Sequence, residues 1–385
     1  MKFLIFLGVV LAFGCSRTDE EIPKIFIKVG SEITKSKKIV CDIIYVENGD
    51  SLSAKAAIKR RGGSSMKYKK HSYRVEFDSL ISLAGLPKDD DWILNANYID
   101  KTLMRHKISY DLFRQMHPEN IAVQCNYVEV FLNNEYRGLY VLMEKVDAST
   151  TFLVKKDPSA VLFKEPPVFF EKRLERVQDS TNYFQQKFPK IKKRDKTEFI
   201  EEFRQFLFNA PDSVFYEEIG QRVNLRNVMD WHLLLLFSNN SDGILKNFYL
   251  LKKNGDVPFE FIPWDYDHSF GRDGDNELNM MRHQLDVNRS ILLRRLNASE
   301  SYLSTLKKRY WEFRESGLFS IKNFDKLIFE NDDIIHPYVE RNFEKWPVKA
   351  YYYFDDGDYD SEIELMRDFV RMRLEILDAF FANAD

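Results

Sequence analysis

Asp242 and Asn247 lie five residues apart in "SNNSDGILKNFYLL", and Asp265 and Asp267 follow in "FEFIPWDYDHSFG". Polar groups set between such apolar runs need partners, water or a ligand. Carboxylate and amide oxygens suit a hard dication such as Mg2+ or Mn2+. Mg2+ in particular takes one or two carboxylates together with phosphate oxygens. A carboxylate such as Asp242 can also face an acceptor hydroxyl, and Lys246 can neutralise charge on a transferred phosphoryl group. The chemistry this set could serve is metal-assisted phosphoryl transfer.

Taken alone, Asp-x4-Asn equally describes a polar turn that caps two elements. The second cluster changes that balance. In protein kinases a catalytic loop carries an Asp and, five residues on, a metal-binding Asn; a short hairpin and a second metal-binding Asp follow. Here "FYLLKKNGDVPFEFI" reads as the hairpin, turned at Asn254 and Gly255. Asn247, Asp265 and Asp267 are therefore the candidate metal ligands, and Asp242 and Lys246 the candidate catalytic pair. The plainer reading of Asp-Tyr-Asp is two loop acids bonded to backbone N–H groups.

A glycine-serine-lysine loop, "RRGGSSMKYKK", stands far upstream. Gly62 and Gly63 permit close backbone approach, and Ser64 and Ser65 add donors, so the loop can cradle phosphates. It is neither GxGxxG nor a Walker A loop, and Gly-Gly also simply turns hairpins. Lys69 or Lys70 on the returning strand can reach a phosphate as a point charge; Lys70 is carried forward. Arg105, on the helix that follows, and Glu144, at the end of "YVLMEKVD", are further candidate nucleotide contacts. That helix contains no Glu to pair with a phosphate-binding lysine, only Asp111. His232 lies in an apolar helix and reads as structural. His268 is placed to orient a carboxylate.

The elements that must position these residues follow from periodicity. "KIFIKV", "KIVCDIIYV" and "AKAAIKRR" are β-branched and partly alternating. "SYRVEF" sets Tyr73, Val75 and Phe77 on one face. A helix is expected over 100–116 with Asp100 as its cap. A hairpin is expected in "YVEVFLNNEYRGLYVLMEKV", turned at Asn133 and Asn134. "NLRNVMDWHLLLLFSNN" is an apolar helix capped by Asn224, and helices dominate after residue 288. Strands thus precede helices, with a hinge expected near 144–147.

The chain has 385 residues, 44% hydrophobic and 30% charged, enough for one large body with a substantial core. The net charge of -3 provides no electrostatic footprint for nucleic acid. Thirty-two Phe and nineteen Tyr point to an aromatic core. The opening "MKFLIFLGVVLAFGC" has a lysine and an apolar run too short to span a bilayer, so residues 1–15 read as a signal peptide. Cys15 after Gly14 resembles a bacterial lipobox, with Ala12 standing where Leu is usual. Lipidation there would leave residues 16–24 as a tether and place the body on the cell envelope. Cys41 and Cys125 read as buried apolar residues rather than as a disulfide.

Five motifs now stand in series: "RRGGSS…KKHSYRVEF", "DWILNANYIDKTLMRHKISYDL", "YVEVFLNNEYRGLYVLMEK", "NNSDGILKNFYL" and "IPWDYDHSFG". Together they resemble the CotH family, the spore-coat-protein-H type of atypical protein kinase, across roughly residues 55–271. The resemblance implies an α+β, two-lobed protein-kinase-like fold over residues 25–385, with a β-rich lobe to about 147 and an α-rich lobe from 148. It also implies ATP- and Mg2+-dependent phosphorylation of protein Ser or Thr, with Asp242, Asn247 and Asp265 in the catalytic and metal roles. The family's loop usually reads RGNSS, whereas this one reads RGGSS. The competing expectation is a catalytically silent envelope protein that binds a protein or glycan. A metal-dependent hydrolase using the same acids is the third, set back by the lack of a ligating His pair.

Overall fold

The computed structural model describes residues 21–151, 153, 157, 159–170, 182–273, 280–348 and 355–382. Its first strands are β1 (Lys24–Lys28), β2 (Ile39–Glu47), β3 (Asp50–Arg61), β4 (Ser72–Ile81) and β5 (Asp89–Asn95). Helix α1 (Arg105–Met116) follows, then the hairpin β6 (Cys125–Leu132) and β7 (Glu135–Glu144). Asn133 and Asn134 turn that hairpin, both with positive φ (50° and 66°), as a two-residue turn requires. Tyr73, Val75 and Phe77 share the barrel's inner face with Cys41, Ile43 and Trp92. Both Cys41 and Cys125 are buried free thiols, and burial pushes them up to about 11 and about 12.

The two-lobed kinase-like expectation is corrected here. The strands form a closed seven-stranded barrel in the order β1-β2-β3-β4-β5-β7-β6. A parallel pairing of β1 with β6, from Lys24 opposite Glu129 to Ile27 opposite Leu132, closes it. Closure removes both sheet edges. Much of the outer face of β5, β6 and β7 is covered rather than open. Ile93, Tyr127, Val141 and Met143 join one continuous core with α1 and the C-terminal helices. The expected hinge is a pinned turn, in which Lys145 pairs with Asp91 at 2.8 Å and with Asp147 at 3.1 Å.

The remaining chain runs through β8 (Val161–Lys164), β9 (Gln186–Phe188), α2 (Thr197–Asn209), α3 (Asp212–Arg222) and α4 (Leu225–Ser238). Then come β10 (Phe248–Lys252), β11 (Glu260–Pro263), α5 (Ile291–Asn297), α6 (Glu300–Glu315), α7 (Ile321–Lys345) and α8 (Tyr359–Ala382). A second, four-stranded sheet has the order β11-β10-β8-β9. The side chain of Asn224 caps α4 by accepting from the Asn227 amide at 3.2 Å. Trp231 of α4 stacks on Phe261 of β11, with ring centroids 4.1 Å apart. That contact sets the helix against the hairpin whose two ends carry the polar clusters.

Helix α1 begins five residues later than expected. Asp100 still governs its start, accepting from the amides of Thr102 and Arg105 at 3.0 Å each. His232 is fully buried beside Tyr302, with Nδ1 3.2 Å from the hydroxyl. Burial holds its imidazole down at about 3, so it is neutral at any ordinary pH.

Candidate functional site

The loop after α4 is organised by its own side chains. Asn240 accepts from the Gly243 amide at 2.9 Å, and a single 3-10 turn spans Asp242–Ile244. One turn on, Lys246 pairs with Asp242 at 2.9 Å. Asn247 then takes a left-handed backbone, φ 60°, which Asn tolerates better than most residues. Because Phe248 pairs with Pro263, the hairpin brings Asn247 beside the residues that follow β11. The Asn247 amide donates to the Asp265 carbonyl at 2.8 Å, and the Asn247 carbonyl accepts from Trp264 at 2.9 Å. Asp265 is itself left-handed, φ 59°. Two adjoining polar residues in this sparsely populated region mark a locally strained site.

Helix α1 supplies the third side of the cluster. His106 Nε2 lies 3.3 Å from Asp265 Oδ1, and the Tyr110 hydroxyl accepts from the Asp265 amide at 3.0 Å. His106, Asp265 and Asp267 each offer a ligand atom, and these atoms lie within 4.8 Å of one another. Burial pushes the Asp265 carboxyl up, but the His106 bond and the Lys164 and Arg61 cations outweigh it, so the group sits below the usual carboxylate range. Asp267 moves the opposite way: burial, with the Asp265 charge adding to it, raises it. A dication between them would favour both ionised forms, and the three ligand atoms lie close enough together to share one ion. The donor set therefore fits a metal ion.

These residues face the glycine loop across one pocket of about 380 Å³. Its walls include Gly62, Ser64, Ser65 and Lys70 on one side and Asp242, Lys246, Asn247, Asp265, Asp267 and His268 on the other. Gly62 has φ +127°, a backbone that side-chain-bearing residues rarely adopt, and a Cβ there would also displace the Ser65 hydroxyl 2.3 Å away. Ser64 and Ser65 begin a 3-10 turn that directs the loop into the pocket. Gly63 belongs to the same loop but does not line the cavity. Tyr68, Tyr98 and Ile99 form an apolar corner, packed against Trp346 and Val348. Residues 58–377 match the family described as CotH kinase protein.

This chain belongs to the CotH kinase protein family. It is also similar to the inner spore coat protein H of Bacillus subtilis (strain 168), at 24% identity over 322 residues, covering 83% of this chain and 85% of that protein.

Lys70, the lysine expected to reach a phosphate, has no acidic partner among the described residues. Its ammonium donates to the Asn342 side-chain oxygen at 2.9 Å and to the Leu139 carbonyl, and lies 4.7 Å from the Tyr140 ring centre. Burial pushes it well below the usual lysine range. Asn342 comes from α7, and no spacing in the sequence pointed to it. Two other expected nucleotide contacts lie outside the pocket of this CotH protein. Arg105 is fully buried, paired with Asp100 at 2.6 Å and Glu362 at 2.7 Å, and its Nε donates to the Ser269 carbonyl at 2.9 Å. Glu144 accepts from the Gln124 amide at 2.8 Å on the far side of β7. His268 stands 3.7 Å from Asp267 and lines the pocket. Cys15 lies outside the described residues.

Sequence reasoning missed Arg61 at the cavity wall and His106 behind the acids. Arg61 lines the pocket, donates to Asn95 at 3.2 Å and stacks on Trp264 at 5.6 Å. Its signal was present, since it directly precedes Gly62 in the same motif. His106 adjoins Arg105 in the chain and faces Asp265 from α1.

Proposed function

We propose that this CotH protein transfers the terminal phosphoryl group of ATP to a Ser or Thr hydroxyl of a protein. The observation that carries this reading is the one pocket lined by Asp242, Asn247, Asp265 and Asp267 together with Gly62, Ser64 and Ser65 of the glycine loop, Arg61 and Lys246. Such transfer depends on positioning and on charge stabilisation more than on covalent chemistry. Asp242 orients the acceptor hydroxyl and accepts its proton. Lys246, held to Asp242 at 2.9 Å in the free protein, turns toward the phosphate oxygens when they arrive. Arg61 adds fixed positive charge at the glycine loop, and Ser64 and Ser65 donate to phosphate oxygens. A dication bound by Asn247, Asp265 and Asp267 would neutralise charge on the phosphates. The hydroxyl of the acceptor ends as the phosphate ester, with ADP as the leaving product.

The experiment is label transfer. The full chain, kept in detergent, is incubated with ATP labelled at the terminal phosphate, Mg2+ or Mn2+, and a mixture of envelope proteins. Phosphoserine or phosphothreonine should form. A nucleotide-dependent rise in melting temperature without any label would instead make it a silent binder.

The amino terminus supports a second part of the proposal, a lipid anchor at Cys15 that holds the body on a membrane surface. Among the described residues no helix is long and apolar enough to cross a bilayer. Cys15→Ser should move the protein from the membrane fraction to the soluble one. Unchanged membrane association in that variant would rule the anchor out.

A further inference from the structure

The metal cluster differs from an all-oxygen Mg2+ site in one respect, and the difference is on α1. His106 Nε2 is 3.3 Å from Asp265 Oδ1, and within 4.8 Å of it lie ligand atoms of both Asp265 and Asp267. Around an ion with ligand bonds of roughly 2.1 Å, neighbouring donors stand about 3 Å apart and opposite donors about 4.2 Å apart. The three atoms thus fit one coordination shell with only small movements.

The ring is not a surface histidine that happens to be near. His106 is 1% exposed, lies in the first turn of α1, and meets Tyr110 edge-on at 5.9 Å. Tyr110 in turn accepts the Asp265 amide, so one helix fixes both the imidazole and the backbone of the facing carboxylate. His106 Nδ1 is buried and has no hydrogen-bond partner among the described residues. Which nitrogen carries the proton is ordinarily set by the bond the other one makes. Metal binding at Nε2 would displace the bond to Asp265 and leave the ring proton on Nδ1.

We infer that His106 is a direct metal ligand and that it makes this site select Mn2+ over Mg2+. The inference rests on the phosphoryl-transfer reading for its biological meaning, but not for its test. Mg2+ is a hard ion that holds its waters and takes oxygen donors. Imidazole suits first-row transition ions, and Mn2+ is the member of that series that also accepts carboxylate, amide and phosphate oxygens. A site with two carboxylates, a carboxamide and one imidazole matches Mn2+.

The test needs no turnover. Mn2+ is titrated into the full chain and followed by electron paramagnetic resonance, with pulsed spectra recorded on the bound ion. Nitrogen hyperfine coupling from a directly bound imidazole is expected. His106→Asn, which offers an oxygen from a smaller side chain, should abolish the coupling. Competition with Mg2+ should show its preference for Mn2+ reduced by about tenfold or more. Bound Mn2+ without nitrogen coupling in the unmutated protein would overturn the assignment, whether or not the variant folds. So would an unchanged ion preference in His106→Asn. The two readings fail differently. Nitrogen-coupled Mn2+ with no label transfer sinks the kinase proposal alone. Transfer supported by Mg2+, with no nitrogen coupling to Mn2+, sinks this one alone.

Discussion

Asp265→Asn is expected to reduce phosphoryl transfer by about 10³-fold or more while leaving the fold intact. The substitution keeps the side-chain volume and removes only the charge. It also suits the backbone, because Asn populates the left-handed region that Asp265 occupies at φ 59°. The melting temperature should therefore stay close to that of the unmutated protein. What disappears is the ionised group that His106, Lys164 and Arg61 hold in its charged form. Metal affinity should fall with it. Asp242→Asn makes the informative contrast, since that carboxylate pairs with Lys246 rather than with His106. It should lose transfer but still bind Mn2+. Label transfer in Asp265→Asn within tenfold of the unmutated rate would count against a metal role for this residue, as would equal metal affinity in the two variants.

The second large effect is on stability. Arg105→Leu removes a guanidinium that is 0% exposed and pairs with Asp100 and Glu362, both also fully buried in their side chains. Truncating one partner of a buried pair costs about 3–5 kcal/mol, because the other charge is left without its counterion. Arg272 still pairs with Glu362, so the loss should sit toward the lower end. Calorimetry should show a melting temperature lowered by several degrees, and a variant as stable as the parent would contradict the account. The pH dependence has a definite sign. Burial raises the Glu362 carboxyl, but Arg105 and Arg272 outweigh it and hold the group below its usual value of 4.5. Its folded form thus binds fewer protons than its unfolded form. The stabilisation is present above about 4.5 and is lost as pH falls through the lower folded value. Arg105→Leu should show a shallower decline over that acid range.

The effect should also reach the site. Arg105 holds the carbonyl of Ser269, two residues beyond Asp267, and its neighbour on α1 is His106. A residue expected to touch nucleotide therefore acts as a strut behind the cluster of His106, Asp265 and Asp267.

Much of the local structure was legible because short-range physics dictates it. Asn133 and Asn134 announce a tight turn, Asn224 announces a helix start, and the alternation of Tyr73, Val75 and Phe77 announces a buried strand face. The acids were legible for a similar reason. Asp242, Asn247 and Asp265 are spaced by one loop and one hairpin, and both leave local signs. Barrel closure was not legible, because β1 meets β6 through a parallel pairing across about a hundred intervening residues. Strand β5 was missed since "DDDWILN" opens on three acids, which strands disfavour. There Asp89 accepts from the amides of Asp90 and Asp91, at 2.7 Å and 3.0 Å, and so supports its own strand start. His106 and Asn342 reach the site from other elements, and no spacing rule connects a helix to a loop across such separations.

The bond from Lys70 to Asn342 joins residues 272 apart in the chain. In a protein made from its amino terminus, the barrel strands emerge long before α7 exists. Until α7 docks, the Lys70 side chain lacks the partner that shapes its surroundings, and the apolar corner at Tyr98 lacks Trp346. The packing beside the pocket is thus finished last, by the part of the polypeptide synthesised late. A nascent or prematurely terminated chain would carry the glycine loop and even the acidic cluster, but not the Asn342 and Trp346 side chains that pack behind Lys70 and Tyr98.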